Sequence, residues 1–157
     1  MKVNIGLSDK NRKGAAEILN RLLSDEYVLY TKTRNYHWNV TGSDFSELHK
    51  FFEAQYEELD NIIDEVAERA RSLGENSLGT LKEFLEHSGL KESPTHHPKA
   101  EKMIVHLLHD HEVLIRNLRE DLRTCDEKLD DMGTSDFLTG LMEQHEKMAW
   151  MLRAYLE

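Results

Sequence analysis

Four side chains able to bind a metal ion share one face of a segment that the sequence predicts to be helical. They are His49, Glu53, Asp64 and Glu68. At about 100° of rotation per helical residue, all four fall within a stripe of about 100°. Imidazole with carboxylate four residues apart, followed by two carboxylates at the same spacing, suits a first-row divalent metal such as iron. Asp60 and Glu57 lie on or near the same stripe, so geometry alone does not choose among the acids, and ordinary solvent-facing charges remain the alternative.

One helix cannot bring the two halves of this stripe together. The midpoints of the His49/Glu53 pair and the Asp64/Glu68 pair are about 15 residues apart, which is roughly 22 Å along a helix. If two copies of the helix run antiparallel across a two-fold axis, the first pair of one copy meets the second pair of the other. A metal site on this stripe therefore requires a dimer, which would contain two equivalent sites.

The composition predicts one all-helical domain over residues 1–157, with residues 1–7 as a short N-terminal tail. The chain is 39% hydrophobic and 32% charged and has only eight glycines and two prolines. Long segments between them repeat apolar residues every three or four positions, as amphipathic helices do. The expected elements are helix A (about 8–38), helix B (about 45–73), a short helix (81–87), helix C (from His97-Pro98 to about 129) and helix D (about 135–156).

The order of these elements predicts a four-helix bundle. Gly74 provides a stop for helix B, and Thr80 with Glu83 has the spacing of a capping box for the short helix. A turn at Gly133 and Thr134 is expected before helix D. Roughly 23 residues join helices B and C, and one long crossover of this kind is typical of ferritin-like bundles.

The run from His37 to Gly74 resembles the signature of the Dps family, the miniferritins. The matching residues are His37-Trp38-Asn39-Val40, Gly42, Phe45, Leu48-His49, Asp64-Glu65-Val66-Ala67-Glu68-Arg69 and Leu73-Gly74. The similarity extends to the segments 80–85 and 145–151, and so covers nearly the whole chain. It implies a ferritin-like fold and a hollow oligomer, a dodecamer built from dimers.

The resemblance also implies a di-iron ferroxidase centre between subunits, with ferrous iron as substrate and hydrogen peroxide as the expected oxidant. The implied ligands are His37, His49, Glu53, Asp64 and Glu68. The family usually has Asp where this chain has Glu53, which leaves open whether Glu53 binds iron directly, through water, or only contacts the ligands. Trp38 resembles the aromatic residue that the family keeps beside its centre. The ferric product would be stored as mineral, which would protect against oxidative damage.

The sequence lacks the motif that builds a di-iron site inside a single bundle. That design uses Glu-x-x-His on paired helices, and no Glu-x-x-His occurs in this chain. The absence independently favours a site between subunits.

Further acidic and histidine residues have less certain roles. Asp126, Asp131 and Asp136 flank the turn between helices C and D. They either cap helix ends or, as the resemblance implies, line a three-fold pore whose negative charge concentrates cations. The seven other histidines are expected at the surface or at helix ends; the alternative is an adventitious metal site, since His106 and His109 are helix neighbours three residues apart.

Charge and cysteine content limit the partners and the compartment. The net charge of -10 argues against a DNA-binding surface, and residues 1–14 contain only a mild basic bias that includes Lys2. A DNA-compacting stress protein and a metal-free interaction bundle remain alternative functions. Cys125 is the single cysteine, and no apolar stretch resembles a signal sequence or a membrane span. We therefore expect a soluble, cytoplasmic protein.

Overall fold

A computed structural model describes residues 3–157, and these residues form five α-helices and no strand. The helices are α1 (Asp9–Asn39), α2 (Phe45–Ser72), α3 (Leu81–His87), α4 (Ala100–Glu127) and α5 (Met132–Ala154). Residues 3–7 of the expected tail precede α1, whereas Met1 and the basic Lys2 lie outside the described residues. The predicted all-helical fold, with a short helix inside one long crossover, is confirmed.

The bundle consists of two helix pairs that share one core. Helix α1 packs along α2, and α4 packs along α5. The short connections at 40–44 and 128–131 make each pair antiparallel. Each long helix contributes side chains that are no more than 1% exposed, among them Leu19, Leu59, Leu114 and Leu141. Burial of each such side chain stabilises the fold by about 1.5–3 kcal/mol.

Asp25 of α1 holds the crossover against the bundle. Its Oδ1 accepts hydrogen bonds from Ser88 Oγ at 2.8 Å, Gly89 N at 2.7 Å and Leu90 N at 3.2 Å. Just before this point, Phe84 of α3 stacks on Tyr27 of α1, with the ring centroids 4.3 Å apart. The crossover is thus fixed to α1 by both polar and aromatic contacts.

Local capping residues determine where α2 ends and where α3 begins. Thr80 and Glu83 form the predicted capping box at the start of α3. Gly74 follows the last residues of α2 with φ +87°, a left-handed conformation that favours glycine. A Cβ on Gly74 would lie 2.4 Å from Val3 Cγ2. Both the backbone conformation and the N-terminal segment therefore require glycine at this position.

The predicted start of helix C at His97-Pro98 is wrong by about two residues. Helix α4 begins at Ala100, and Lys99 precedes it in an extended conformation with φ -61° and ψ 156°. Pro98 is therefore outside the first turn. The residue before a proline is also disfavoured in helical conformation, which separates His97 from the helix.

The predicted turn at Gly133 and Thr134 is also wrong, because both residues belong to the first turn of α5. Asp131 is the N-cap: its Oδ1 accepts from Thr134 N at 2.9 Å, and its Oδ2 accepts from Thr134 Oγ1 at 2.6 Å. The chain reverses just before this cap, where Asp130 has φ +52°. The cap starts α5 three residues earlier than the apolar pattern indicates.

None of the helices within residues 3–157 combines the length and apolar character needed to cross a membrane.

Candidate metal centre

The end of α1 and the beginning of α2 bring two of the predicted ligands together. Reciprocal hydrogen bonds join them: His37 Nδ1 lies 2.7 Å from His49 O, and His49 Nδ1 lies 2.8 Å from His37 O. The two imidazole rings stack with centroids 3.7 Å apart and an interplanar angle of 21°. The connection at 40–44 closes this arrangement.

The backbone partners determine which ring nitrogen is available to a metal ion. A carbonyl oxygen only accepts hydrogen bonds, so Nδ1 of each ring must carry the proton and donate it. In a neutral imidazole the lone pair is then on Nε2. Metal-binding histidines commonly have their other ring nitrogen fixed in this way. Both His37 and His49 can therefore present Nε2 as a ligand.

Aromatic side chains surround the histidine pair. Phe45 lies beside His49 at a centroid distance of 5.1 Å, and Tyr56 meets His37 edge to face at 5.2 Å. His37 itself is buried, with 6% of its surface exposed. These contacts restrict the orientation of both rings.

Glu53 is oriented through Tyr56. The Tyr56 hydroxyl donates to Glu53 Oε1 at 3.4 Å, a long hydrogen bond. Partial burial raises the pKa of Tyr56, and the nearby negative charge of Glu53 raises it further. The hydroxyl therefore stays protonated near neutral pH and remains a donor to the carboxylate.

Trp38 is beside this cluster but points into solvent, with 63% of its surface exposed. The guanidinium of Arg34 lies 5.0 Å from the ring centroids of Trp38 and Tyr56 and 5.5 Å from that of Tyr30. Cation–π contacts of this kind are worth about 0.5–1 kcal/mol each at exposed sites. Arg34 thus links the exposed tryptophan to Tyr56, the aromatic residue that packs against His37.

Asp64 and Glu68 lie on the exposed surface of α2, several turns from the histidine pair. Along the helix the separation from His49/Glu53 is roughly 22 Å. Within residues 3–157 no group of three or more His, Cys, Asp or Glu side chains is arranged to hold a metal ion. One subunit therefore brings together His37 and His49, and Tyr56 contacts both His37 and Glu53, whereas Asp64 and Glu68 lie elsewhere on α2.

The three acidic residues near the turn between α4 and α5 differ in environment. Asp126 and Asp136 are exposed and line a surface groove beside Met132 and Gly133. Asp131 is only 3% exposed and caps α5, and it also lies 3.4 Å from Arg69 Nη2. Two of the three carboxylates thus face solvent, whereas the third is part of the fold.

Two histidines expected at the surface are instead fully buried. His111 of α4 and His145 of α5 are both 0% exposed; His145 is hydrogen-bonded to Glu26 of α1 and to His111. Their neighbours on the same helix faces are apolar, for example Leu107, Leu114, Leu141 and Ala149. This apolar periodicity is the sequence signal that could have placed them in the core.

Comparison with known proteins identifies the class. The sequence profile of the ferritin-like domain matches residues 16–157. An uncharacterized low temperature-induced protein of Nostoc is 47% identical over 99% of this chain and 87% of its own. DNA protection during starvation protein 2 of Bacillus anthracis is 40% identical, covering 92% of this chain and 97% of its own.

A solved structure gives the same result at the level of the fold. The Dps protein of Vibrio cholerae O1, described as a member of a broad superfamily of ferritin-like diiron-carboxylate proteins, superposes with a TM-score of 0.92. It is 33% identical, and the match covers all of this chain and 98% of that one. The fold is thus that of a ferritin-like protein. Within that class, the chain belongs to the Dps family, the miniferritins.

Proposed function

We propose that this protein is a ferroxidase that oxidises ferrous iron at a site shared between two subunits and stores the ferric product. Membership of the Dps family supports a role in iron storage and stress protection in general. The observation that carries the finer proposal is the pair of hydrogen bonds between His37 and His49, which directs both Nδ1 protons to carbonyls.

His37, His49 and Glu53 form one half of the proposed site. With Nδ1 engaged, the two Nε2 atoms are the free donors, and imidazole nitrogen with carboxylate oxygen is a ligand set suited to iron. Two nitrogens and one carboxylate are too few to complete the coordination of two iron ions. The rest of the ligand set has to come from outside this half.

Asp64 and Glu68 form the other half, contributed by a second subunit. Both carboxylates are exposed, so nothing within residues 3–157 of the same subunit buries them. A two-fold axis that sets two α2 helices antiparallel would bring these carboxylates to the partner's histidine pair. Iron would neutralise the acidic charge gathered at that interface. Binding of ferrous iron would therefore stabilise the dimer, and dimerisation would in turn strengthen the binding of ferrous iron.

The proposed reaction uses hydrogen peroxide as oxidant. Two ferrous ions lose one electron each, and one peroxide molecule accepts both electrons as its O–O bond breaks, giving two hydroxide ions. The residues of this chain bind the iron and leave coordination positions open for the oxidant. Consumption of iron and peroxide together would suppress hydroxyl radical formation.

We also propose a hollow assembly of twelve subunits in the cytoplasm as the place of storage. Asp126 and Asp136, which are exposed near the start of α5, would line a pore through which ferrous iron enters. Carboxylates from three subunits would concentrate cations there. Since Asp131 already caps α5, we expect its contribution to the pore to be indirect.

Mixed assemblies test the shared site directly. One variant carries His37→Ala and His49→Ala, and the other carries Asp64→Ala and Glu68→Ala. Each alone should lose ferroxidation by peroxide, measured as ferric absorbance after anaerobic loading with ferrous iron. Subunits exchanged between the two variants should regain activity, because one of the two sites in each heterodimer is intact.

The control is a third variant with Glu58→Ala and Glu65→Ala, which removes two exposed carboxylates of α2 that lie off the proposed stripe. It should retain activity. Zero activity in mixtures that demonstrably contain heterodimers would exclude a shared site. Full activity in either of the first two variants alone would exclude the assigned ligands.

A further inference from the structure

A row of tyrosine rings leads away from the candidate metal centre along the contact between α1 and α2. Tyr56 of α2 meets His37 edge to face at 5.2 Å, and Tyr30 of α1 lies next, with its ring centroid 6.1 Å from that of Tyr56. Tyr27 follows one turn earlier on α1, 5.9 Å from Tyr30. Three of the five tyrosines of the chain therefore form a continuous tyrosine row that begins at a predicted iron ligand.

The tyrosine row has a defined end and is partly shielded from solvent. Beyond Tyr27 the next ring is Phe84 of α3, stacked at a centroid distance of 4.3 Å. A phenol loses an electron far more readily than a phenyl ring does, so an oxidising equivalent can move along the tyrosines but stops at Phe84. All three tyrosines are half-buried, which keeps most solutes away from a radical on them.

Tyr56 has a carboxylate in place to take its proton. A tyrosine that loses an electron also releases its phenolic proton, because the oxidised ring holds that proton only weakly. The Tyr56 hydroxyl donates to Glu53 Oε1 at 3.4 Å. The folded chain therefore provides an acceptor for the proton as well as a ring that can give up the electron.

Arg34 makes loss of the proton a condition for oxidation of the row. Its guanidinium lies 5.0 Å from the ring centroid of Tyr56 and 5.5 Å from that of Tyr30, and its Nη1 donates to the Tyr30 hydroxyl at 2.6 Å. A ring that lost only an electron would be a cation beside this guanidinium, and two positive charges so close repel each other. A ring that also loses its proton is neutral. Arg34 thus favours departure of the electron and the proton together.

We propose that the tyrosine row supplies the second electron to peroxide when a site holds a single ferrous ion, an inference that rests on the proposed ferroxidase function. Peroxide takes one electron from ferrous iron and one from Tyr56, and its O–O bond breaks to give two hydroxide ions. The phenolic proton of Tyr56 passes to Glu53, which leaves a neutral tyrosine radical. Without this second electron, the same ferrous ion would split peroxide into hydroxide and a free hydroxyl radical.

The radical then moves along the row and is later reduced. When Tyr56 takes an electron from Tyr30, it regains its proton from Glu53, and Tyr30 releases its own proton to solvent. The next ferrous ion to arrive gives its electron to the radical, which takes up a proton and becomes tyrosine again. Two ferrous ions are therefore still consumed for each peroxide, even though they arrive one at a time.

Freeze-quenched electron paramagnetic resonance tests the tyrosine row separately from iron oxidation. The full-length protein is loaded anaerobically with about half of the ferrous iron that its sites can hold, and is then mixed with hydrogen peroxide. We expect a tyrosine radical, identified because its signal narrows when ring-deuterated tyrosine is incorporated. The radical is counted per ferric ion formed, so that slower oxidation in a variant does not imitate loss of the electron donor.

Two variants locate the donor. Tyr56→Phe keeps the ring beside His37 but removes the phenol. It should lose most of the tyrosine radical and release more hydroxyl radical to a spin trap for each ferric ion. Tyr155→Phe is the matched control, because Tyr155 lies against Phe51, outside the tyrosine row. It should give the same radical yield as the unaltered protein.

Tyr30→Phe tests transfer along the row and leaves the contact between Tyr56 and Glu53 in place. The radical should still form but stay on Tyr56, so the spectrum should reduce to a single pattern of side-chain proton couplings. A spectrum identical to that of the unaltered protein would overturn transfer from Tyr56 to Tyr30, and this test holds even if Tyr56→Phe binds no iron.

Ferric iron formed at half loading without a tyrosine radical in the unaltered protein overturns the proposal. An equal radical yield in Tyr56→Phe does so as well. A signal that does not respond to deuterated tyrosine and disappears in Trp38→Phe would place the donor at Trp38 and would also overturn it. Failure to form ferric iron at any loading would instead refute the ferroxidase function itself.

Discussion

At the scale of single residues, the candidate centre depends on contacts that the sequence indicates only in part. His49, Glu53, Asp64 and Glu68 could be found from their spacing on one helix face, and the required second copy of the helix followed from distance. His37 could be assigned only through the family resemblance. The reciprocal bonds between His37 and His49 depend on the path of the connection at 40–44, which side-chain periodicity does not specify.

Glu53 offers the sharpest test at this scale, because it is longer than the aspartate usual in the family. Its hydrogen bond from Tyr56 holds the carboxylate near His37. Glu53→Gln, which keeps the shape but removes the charge, should lower kcat/KM for ferrous iron roughly 10- to 100-fold. Initial rates of ferric absorbance with peroxide measure this effect.

Glu58→Gln is the control for this test, since Glu58 is an exposed acid of α2 that lies off the proposed stripe. It should leave the rate close to that of the unaltered protein. An unchanged rate in Glu53→Gln would show that Glu53 is not needed for iron binding.

At the scale of elements, helix interiors could be predicted from the sequence and two helix starts could not. Apolar periodicity fixes the interior because burial dominates there, and the capping box of α3 was recognisable from Thr80 and Glu83. The start of α5 depends instead on Asp131, whose side chain was not distinguishable in advance from its acidic neighbours. Capping depends on backbone geometry that spacing does not reveal.

Removal of the Asp131 cap should destabilise the protein measurably. Asp131→Ala loses the hydrogen bonds to Thr134 and the ion pair with Arg69, and loss of an N-cap typically costs about 0.5–2 kcal/mol. The urea midpoint should fall accordingly at fixed protein concentration. The exposed Asp136→Ala is the comparison, with an expected change within about 0.5 kcal/mol. Equal midpoints in the two variants would contradict the capping role.

The contact that His106 makes between α4 and α1 predicts that the stability of the folded protein depends on pH. Burial, and then the positive charge of Lys32, lower the pKa of His106 below 6.5 in the folded protein. The unfolded chain therefore takes up this proton first, and stability should fall as the pH drops through about 6.5. The His106→Gln variant has no imidazole at this position to take up the proton. It should therefore lose less stability than the unaltered protein between about pH 7.5 and 5.5. Urea unfolding at both pH values measures the difference, and identical losses would refute the assignment.

At the scale of the whole molecule, the structure brings together residues that no local pattern connects. Glu26 and His145 are 119 positions apart in sequence, yet their side chains are hydrogen-bonded in the core. A bundle could be predicted from the sequence, but the relative heights of its helices could not. Glu26, His111 and His145 meet because of the relative heights of their helices. Those heights in turn depend on the packing of the whole core.

The charge of the whole molecule predicts weak contact with DNA. With a net charge of -10, the protein should not retard duplex DNA in a gel at neutral pH and near-physiological salt. Deletion of residues 1–14 should make no difference to this result. Retardation by the full chain that is lost on deletion would instead support the DNA-compacting function.

Cys125 has a practical consequence for studying assembly. It is 0% exposed, and burial, followed by the charges of Asp131 and Asp121, raises its pKa to about 12. Because an exposed thiolate is the form of cysteine that attacks thiol reagents, the folded protein should be nearly inert to maleimide dyes. A cysteine introduced on the surface would then be the single labelled position in each subunit. Fluorescence energy transfer between differently labelled subunits could follow their exchange in real time without altering the native core.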